Sequence, residues 1–117
     1  MEHQPDPETH PRVAVIAALN EDRFIGSVVL KTLHYVDQVI VVDDGSHDQT
    51  AAIAEQAGAV VIRHERNLGK AQAVNTGLRR AREMKAALVV LIDAARPHNP
   101  AEIPPPAAPT PPGPAAL

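Results

Sequence analysis

The sequence predicts an α/β fold, a three-layer α/β/α arrangement around a parallel sheet with strand order 3-2-1-4. Three observations carry this. Short apolar runs suited to strands buried on both faces alternate with stretches whose apolar residues fall at helical spacing. The order reads β-α-β-α-β-α-β with short loops, which means crossover helices and parallel strands. Polar residues collect where the strands end, and in doubly wound sheets ligands sit beyond those carboxyl ends, near the point where the strand order reverses. Strands one and four flank that point.

The elements follow in order. Val13–Ala17 is a short apolar strand. Asn20 stands where a helix cap belongs, with Glu21 and Asp22 in the first turn, where the helix dipole favours acids. Ile25, Val28, Val29 and Leu33 keep helical spacing to about Tyr35. Gln38–Val42 is a second buried strand, running into Asp43-Asp44-Gly45. Ser46-His47-Asp48-Gln49 has capping-box spacing for a second helix to about Ala57, with Gly58 as its left-handed stop. Ala59–Arg63 is a third strand and His64–Gly69 a polar loop. From Lys70 to Lys85, Ala71, Val74, Leu78 and Ala81 form one apolar stripe, with Arg79, Arg80, Arg82 and Lys85 largely off it. Ala87–Ile92 is the fourth strand and leads to Asp93.

Composition limits the rest. The chain has 117 residues, enough for one domain. Its 12 prolines are too many for a compact domain of this size, and they divide it. Residues 1–11 read as a disordered leader, 12–96 as the folded domain and 97–117 as a Pro/Ala-rich disordered tail. With no cysteine, disulfide scaffolds, thiolate zinc sites and cysteine nucleophiles are excluded. A formal charge of −3 and two aromatic residues, Phe24 and Tyr35, argue against a nucleic-acid partner. No apolar run approaches the ~20 residues of a spanning helix, and the amino terminus lacks secretory-signal character. The cytoplasm is the expected compartment.

The strand ends hold the candidate chemistry: Asn20-Glu21 after strand one, Asp43-Asp44-Gly45-Ser46 after strand two, and Asp93 after strand four. On one rim such carboxylates can hydrogen-bond a ribose or base, or hold a divalent metal against phosphates. Gly45 lets a ligand approach, and Lys70 adds a positive charge at a helix start. Each feature also has a plainer explanation. Glu21 and Asp22 serve equally as first-turn acids, Asp43–Ser46 as a turn and cap, and Lys70 as a solvated lysine. The basic Arg79–Lys85 cluster reads as an exposed helix face, and His34, His64 and His98 lack metal-ligand spacing. No G-x-G-x-x-G follows strand one, and neither a P-loop nor a G-x-S-x-G elbow occurs. A receiver-like signalling domain would carry its acid pair after strand one, whereas here the pair follows strand two.

Four motifs occur in order: Ala18-Leu19-Asn20-Glu21, Val41-Val42-Asp43-Asp44-Gly45-Ser46-His47-Asp48-Gln49-Thr50, Asn67-Leu68-Gly69-Lys70 with Asn75-Thr76-Gly77, and Leu91-Ile92-Asp93. Together they resemble the front half of a family-2 glycosyltransferase, most similar to the polyprenyl- and dolichol-phosphate sugar synthases. The resemblance implies the Rossmann-like nucleotide-binding half of a GT-A fold. It implies transfer of a sugar from a UDP- or GDP-linked donor to a polyprenyl phosphate or glycan acceptor, which places the protein at the cytoplasmic membrane face where that acceptor is a lipid. It also implies a nucleotide-sugar site drawn from Ala18, Leu19, Glu21, Asp43, Asp44, Gly45, Ser46, Gly69, Lys70, Asp93 and Ala94. Glu21 and Asp44 match positions that contact base and ribose. Asp43 and Lys70 match positions that line the same pocket, and Asp93 matches the first acid of an Asp-x-Asp motif whose last acid helps hold Mg2+ or Mn2+ on the diphosphate. No residue is assigned as catalytic.

The chain departs from that pattern in places. Where the family usually reads Asp-Ala-Asp-Gly-Gln-His, this chain has Asp93-Ala94-Ala95-Arg96-Pro97-His98. Ala95 cannot coordinate a metal and Arg96 adds repulsion, so an impaired metal site is expected. The proline usual before the strand-one motif is Ala17. The family's acceptor half is not found, and proline-rich sequence follows Ile103. The expectation is a truncated transferase with weak or no activity, marginal stability, and self-association through an open sheet edge. The alternative is a non-catalytic nucleotide-binding or partner-binding module.

Overall fold

A computed structural model describes residues 10–94. The expected leader up to residue 9, the tail, and Ala95, Arg96 and His98 lie outside the described residues. Seven elements follow one another: β1 (Arg12–Ala18), α1 (Ile25–Thr32), β2 (Gln38–Asp43), α2 (Thr50–Gln56), β3 (Val60–Arg63), α3 (Lys70–Glu83) and β4 (Leu88–Asp93). The strands form one parallel sheet in the order β3-β2-β1-β4, as the crossover pattern requires. Pairing brings Ala18 opposite Asp43 and Ala17 opposite Asp93, so the polar ends of three strands share one rim.

Alternation along β1 and β2 sends side chains to two cores. Ala14, Ile16, Val39 and Val41 face α1 and α2, where Ile25, Val29 and Ala54 close the layer. Val13, Val15, Ile40 and Val42 face α3 through Ala73 and Ala81. Pro11 is buried, and its carbonyl accepts a hydrogen bond from the Ala87 amide, tying the chain's entry to the start of β4. Across the same end of the sheet, Asp37 accepts hydrogen bonds from Arg12 Nε at 3.1 Å and Nη2 at 3.0 Å.

Two helix starts differ from expectation for one shared reason. Asn20 does not cap α1. It has φ +53, and α1 begins at Ile25 with no side-chain cap, so Glu21 and Asp22 are not first-turn acids. The backbone amides of residues 20–22 are satisfied instead from the loop after β2 and the first residue of α2. Ser46 Oγ accepts from Asn20 N, Thr50 Oγ1 from Glu21 N and Asp48 Oδ2 from Asp22 N. Asn20 Oδ1 in return accepts from His47 N at 2.9 Å. This diverts Ser46 from the expected capping box, and α2 begins only at Thr50, also without a side-chain cap. Gly58, with φ +108, does stand just past the end of α2.

The apolar stripe of α3 is also displaced. Ala73, Gly77 and Ala81 are buried, Val74 and Leu78 are half-buried, and Ala71 is exposed. Gly77 explains the shift, because a Cβ there would stand 2.3 Å from Val15 Cγ1. The helix backbone itself rests on the sheet, so the smallest residues face inward.

Candidate functional site

A cleft of about 290 Å³ opens on the rim at the C-terminal ends of β1 and β4. Ala17, Ala18 and Leu19 supply the end of β1, while Asn67, Lys70 and Ala73 line it from the loop before α3 and from α3 itself. Among the described residues, three acids, Glu21, Asp44 and Asp93, face it together with one base, Lys70. Six of the residues expected at a nucleotide-sugar site therefore meet here: Ala18, Leu19, Glu21, Asp44, Lys70 and Asp93.

The other five stand elsewhere. Asp43 is fully buried, and its Oδ1 accepts from Ser46 N at 3.0 Å, which closes the turn after β2. Its Oδ2 lies 3.5 Å from Arg63 Nε. Gly45 and Ser46 line a separate cavity of about 410 Å³ with His47, Arg63 and His64. Gly69 acts through its backbone, and Ala94 is buried in the core on the α1–α2 side.

Asp44 organises the wall of the cleft. Its Oδ1 accepts from His64 Nδ1 at 2.8 Å and Leu68 N at 2.9 Å, and its Oδ2 accepts from Gly69 N at 2.9 Å. Burial pushes this carboxyl up, but the His64 ring and the two amides outweigh it and hold Asp44 below the usual carboxylate range. An ionised carboxylate offers about four acceptor positions. Three are taken, and the one left is on Oδ2. His64 is fixed in turn by Thr76 Oγ1, 2.9 Å from Nε2. Gly45 lets the loop press in: it has φ +84, and a Cβ there would lie 2.7 Å from the backbone of Arg66 and Asn67.

Glu21 reaches the cleft because Thr50 holds its amide and its carbonyl accepts from Phe24 N and Ile25 N, turning the chain into α1. Lys70 opens α3, and its Nζ donates to Asp93 Oδ2 at 2.8 Å across the cleft. Sequence reasoning missed Ala73 as a lining residue and His64 as the partner of Asp44. Asn67 belongs to the Asn67-Leu68-Gly69-Lys70 motif, whose pattern alone gives it no role. Only the fold reveals the pairing of His64 with Asp44, since 20 residues separate them.

A divalent ion does not fit the described residues. Among them no group of three or more His, Cys, Asp or Glu side chains could hold one. Asp93 is engaged by Lys70, and three of the four acceptor positions of Asp44 are spent on the protein. No helix among the described residues is long and apolar enough to cross a membrane.

Comparison with known proteins agrees with this fold. The family model described as Glycosyl transferase family 2 matches residues 13–105. An uncharacterised protein of Methanocaldococcus jannaschii is 37% identical over 91 residues, covering 76% of this chain and 37% of that protein. The UDP-N-acetylglucosamine–dolichyl-phosphate N-acetylglucosaminyltransferase of Methanococcus voltae is 34% identical over 107 residues, covering 76% of this chain and 43% of its own length. The chain thus spans about two fifths of these curated relatives. Among solved structures, a mannosyltransferase from Pyrobaculum calidifontis in complex with GDP-Man and Mn2+ superposes with a TM-score of 0.58 at 29% identity, over 78% of this chain and 29% of that one. Glucosyl-3-phosphoglycerate synthase from Mycobacterium tuberculosis, in complex with Mn2+, UDP and glucosyl-3-phosphoglycerate, gives 0.55 at 27% identity, over 80% and 40%. The parallel sheet ordered 3-2-1-4 with its flanking helices matches these GT-A glycosyltransferases. The chain belongs to glycosyl transferase family 2.

Proposed function

We propose that the cleft binds the nucleoside diphosphate part of a UDP- or GDP-linked sugar, and that the protein serves glycosyl transfer to a polyprenyl phosphate or glycan acceptor. The observation that carries this is the convergence of Glu21, Asp44, Lys70 and Asp93, from four separate segments, at the carboxyl ends of parallel strands. Glu21 and the remaining acceptor position of Asp44 suit the N–H and O–H groups of a base and ribose, because carboxylates only accept. Lys70 supplies the cationic charge that a diphosphate requires. The structural relatives hold UDP or GDP-Man with Mn2+. Among the described residues the donor set at the rim does not suit an ion, so on this reading Mg2+ or Mn2+ adds little to donor affinity.

The test is an amide NMR titration of the 117-residue chain with UDP and GDP, with and without Mg2+. Shifts confined to residues around Leu19, Glu21, Gly69 and Lys70 are expected. Dispersed spectra that ignore both nucleotides at millimolar concentration would end this reading. A non-catalytic nucleotide-binding module is the second reading, favoured by the lack of a metal-holding group among the described residues. Under it, donor binds and stays intact in the presence of membrane lipid phosphates.

A further inference from the structure

We propose that His64 is a positioning residue for nucleotide recognition: locked between Asp44 and Thr76, it aims the Asp44 carboxylate so that the acceptor position left on Oδ2 is kept for the ligand. This rests on the nucleotide reading above and concerns which residue outside the cleft sets affinity.

His64 does not line the cleft. It follows β3, lines the second cavity, and its side chain is only 10% exposed. Both ring nitrogens are spent on the protein, Nδ1 on Asp44 Oδ1 at 2.8 Å and Nε2 on Thr76 Oγ1 at 2.9 Å. The ring therefore has no nitrogen to offer a nucleotide and acts through its neighbours. Asp44 is held in its ionised form, which only accepts, so Nδ1 carries the hydrogen of the bond between them. A neutral ring then presents a lone pair on Nε2, and the Thr76 hydroxyl meets it. That one hydroxyl hydrogen has two acceptors in reach, Nε2 and Gln72 O at 3.0 Å, and Oγ1 accepts in return when the ring carries both hydrogens. The Thr76 anchor thus holds in either charge state of the ring. The ring links the loop after β2 to the middle of α3, one residue before Gly77, where the helix rests on the sheet. The aim of Asp44 is thereby referred to the packed sheet and not to the polar loop alone.

The dissociation constants of UDP and GDP would be measured by NMR titration of the full chain in EDTA. Wild type, His64→Ala, His64→Asn and Thr76→Val would be compared, each with its urea midpoint. An asparagine amide nitrogen is bonded to Cγ, as Nδ1 is, so it can donate to Asp44 without reaching Thr76. His64→Ala should weaken both nucleotides about tenfold, the loss of one well-aimed hydrogen bond to a charged group. His64→Asn should recover to within about threefold of wild type, and Thr76→Val should cost about threefold. The urea midpoints of His64→Ala and His64→Asn should both fall, so their difference in affinity separates aim from stability. Three results would each overturn the proposal and leave the nucleotide reading in place: a folded His64→Ala that binds like wild type, a His64→Asn that binds as weakly as His64→Ala, or a Thr76→Val unchanged in affinity. A wild type that binds neither nucleotide would overturn both. If His64→Ala loses its dispersed spectrum, His64→Gln takes its place. Its amide nitrogen reaches the Nε2 position, meets Thr76 and leaves Asp44 unserved, so it should bind as weakly as expected for His64→Ala.

Discussion

Replacing Gly77 with alanine asks how α3 is held to the sheet. In a free helix the change stabilises by about 1 kcal/mol, because glycine loses more backbone freedom on folding. In this protein the new methyl would stand 2.3 Å from Val15 Cγ1 and 3.2 Å from Val42 Cγ2. Both valines lie fully buried in the two central strands, so neither has room to yield. Either α3 lifts by about 1 Å or Val15 leaves its rotamer, and overpacking of this kind costs about 1–3 kcal/mol. With the propensity gain set against it, the net loss should be about 1–2 kcal/mol. Urea unfolding followed by circular dichroism measures it, alongside Val15→Ala and the double variant. Val15→Ala removes the methyl that collides, so the double variant should be more stable than the sum of the single losses by about 1 kcal/mol. A Gly77→Ala midpoint at or above wild type, or strict additivity, would refute the close packing. Because α3 carries Lys70 and Ala73 into the cleft, Gly77→Ala should also weaken nucleotide binding.

Three further outcomes follow from the loops and the acids. Gly45→Ala meets both a positive φ and the backbone of Arg66 and Asn67, so it should cost about 2 kcal/mol or more by denaturant melt and shift the amides of residues 66–69. His64→Ala removes a donor from Asp44, which should cost about 1–3 kcal/mol and speed hydrogen exchange at the Leu68 and Gly69 amides. The Arg12 guanidinium holds Asp37 below the usual carboxylate range, and His64 with the loop amides does the same for Asp44 against its burial. Their folded-state values are depressed, so the stability they add is complete above about pH 4 and is lost as pH falls through the folded values. Urea midpoints should drop on acidification below that point, and Asp37→Asn should lower the neutral midpoint and flatten the drop.

The strands were legible because each central one is buried on both faces and so reads as an unbroken apolar run. The strand order followed from short crossovers. The helix starts were not legible. Local rules assign Asn20 and Ser46 to their own helices, yet each serves the other's loop across 26 or 27 residues. The face of α3 was misplaced for a different reason. A search for apolar side chains passes over glycine, and at Gly77 it is the missing side chain that makes the contact. The acids of the cleft were visible as polar ends of strands. What each acid does was not, since Asp43 and Asp44 are neighbours in sequence that face different surroundings. Asp43 closes a buried turn, while Asp44 grips a distant loop and borders the cleft.

The three donors around Asp44 also restrict how this cleft can change over time. An asparagine at position 44 would keep one acceptor oxygen and turn its NH2 either toward the Gly69 N–H or, flipped, toward Leu68 N–H and His64, donor against donor either way. A serine would be too short to span them. The loop would have to rearrange before the residue could change, and the residue before the loop, so position 44 is closed to single-step drift. Lys70 meets Asp93 at the cleft mouth with its own side chain largely exposed, so position 70 can be exchanged in a single step. Selection can therefore retune the Lys70 end of the cleft while the Asp44 end stays locked.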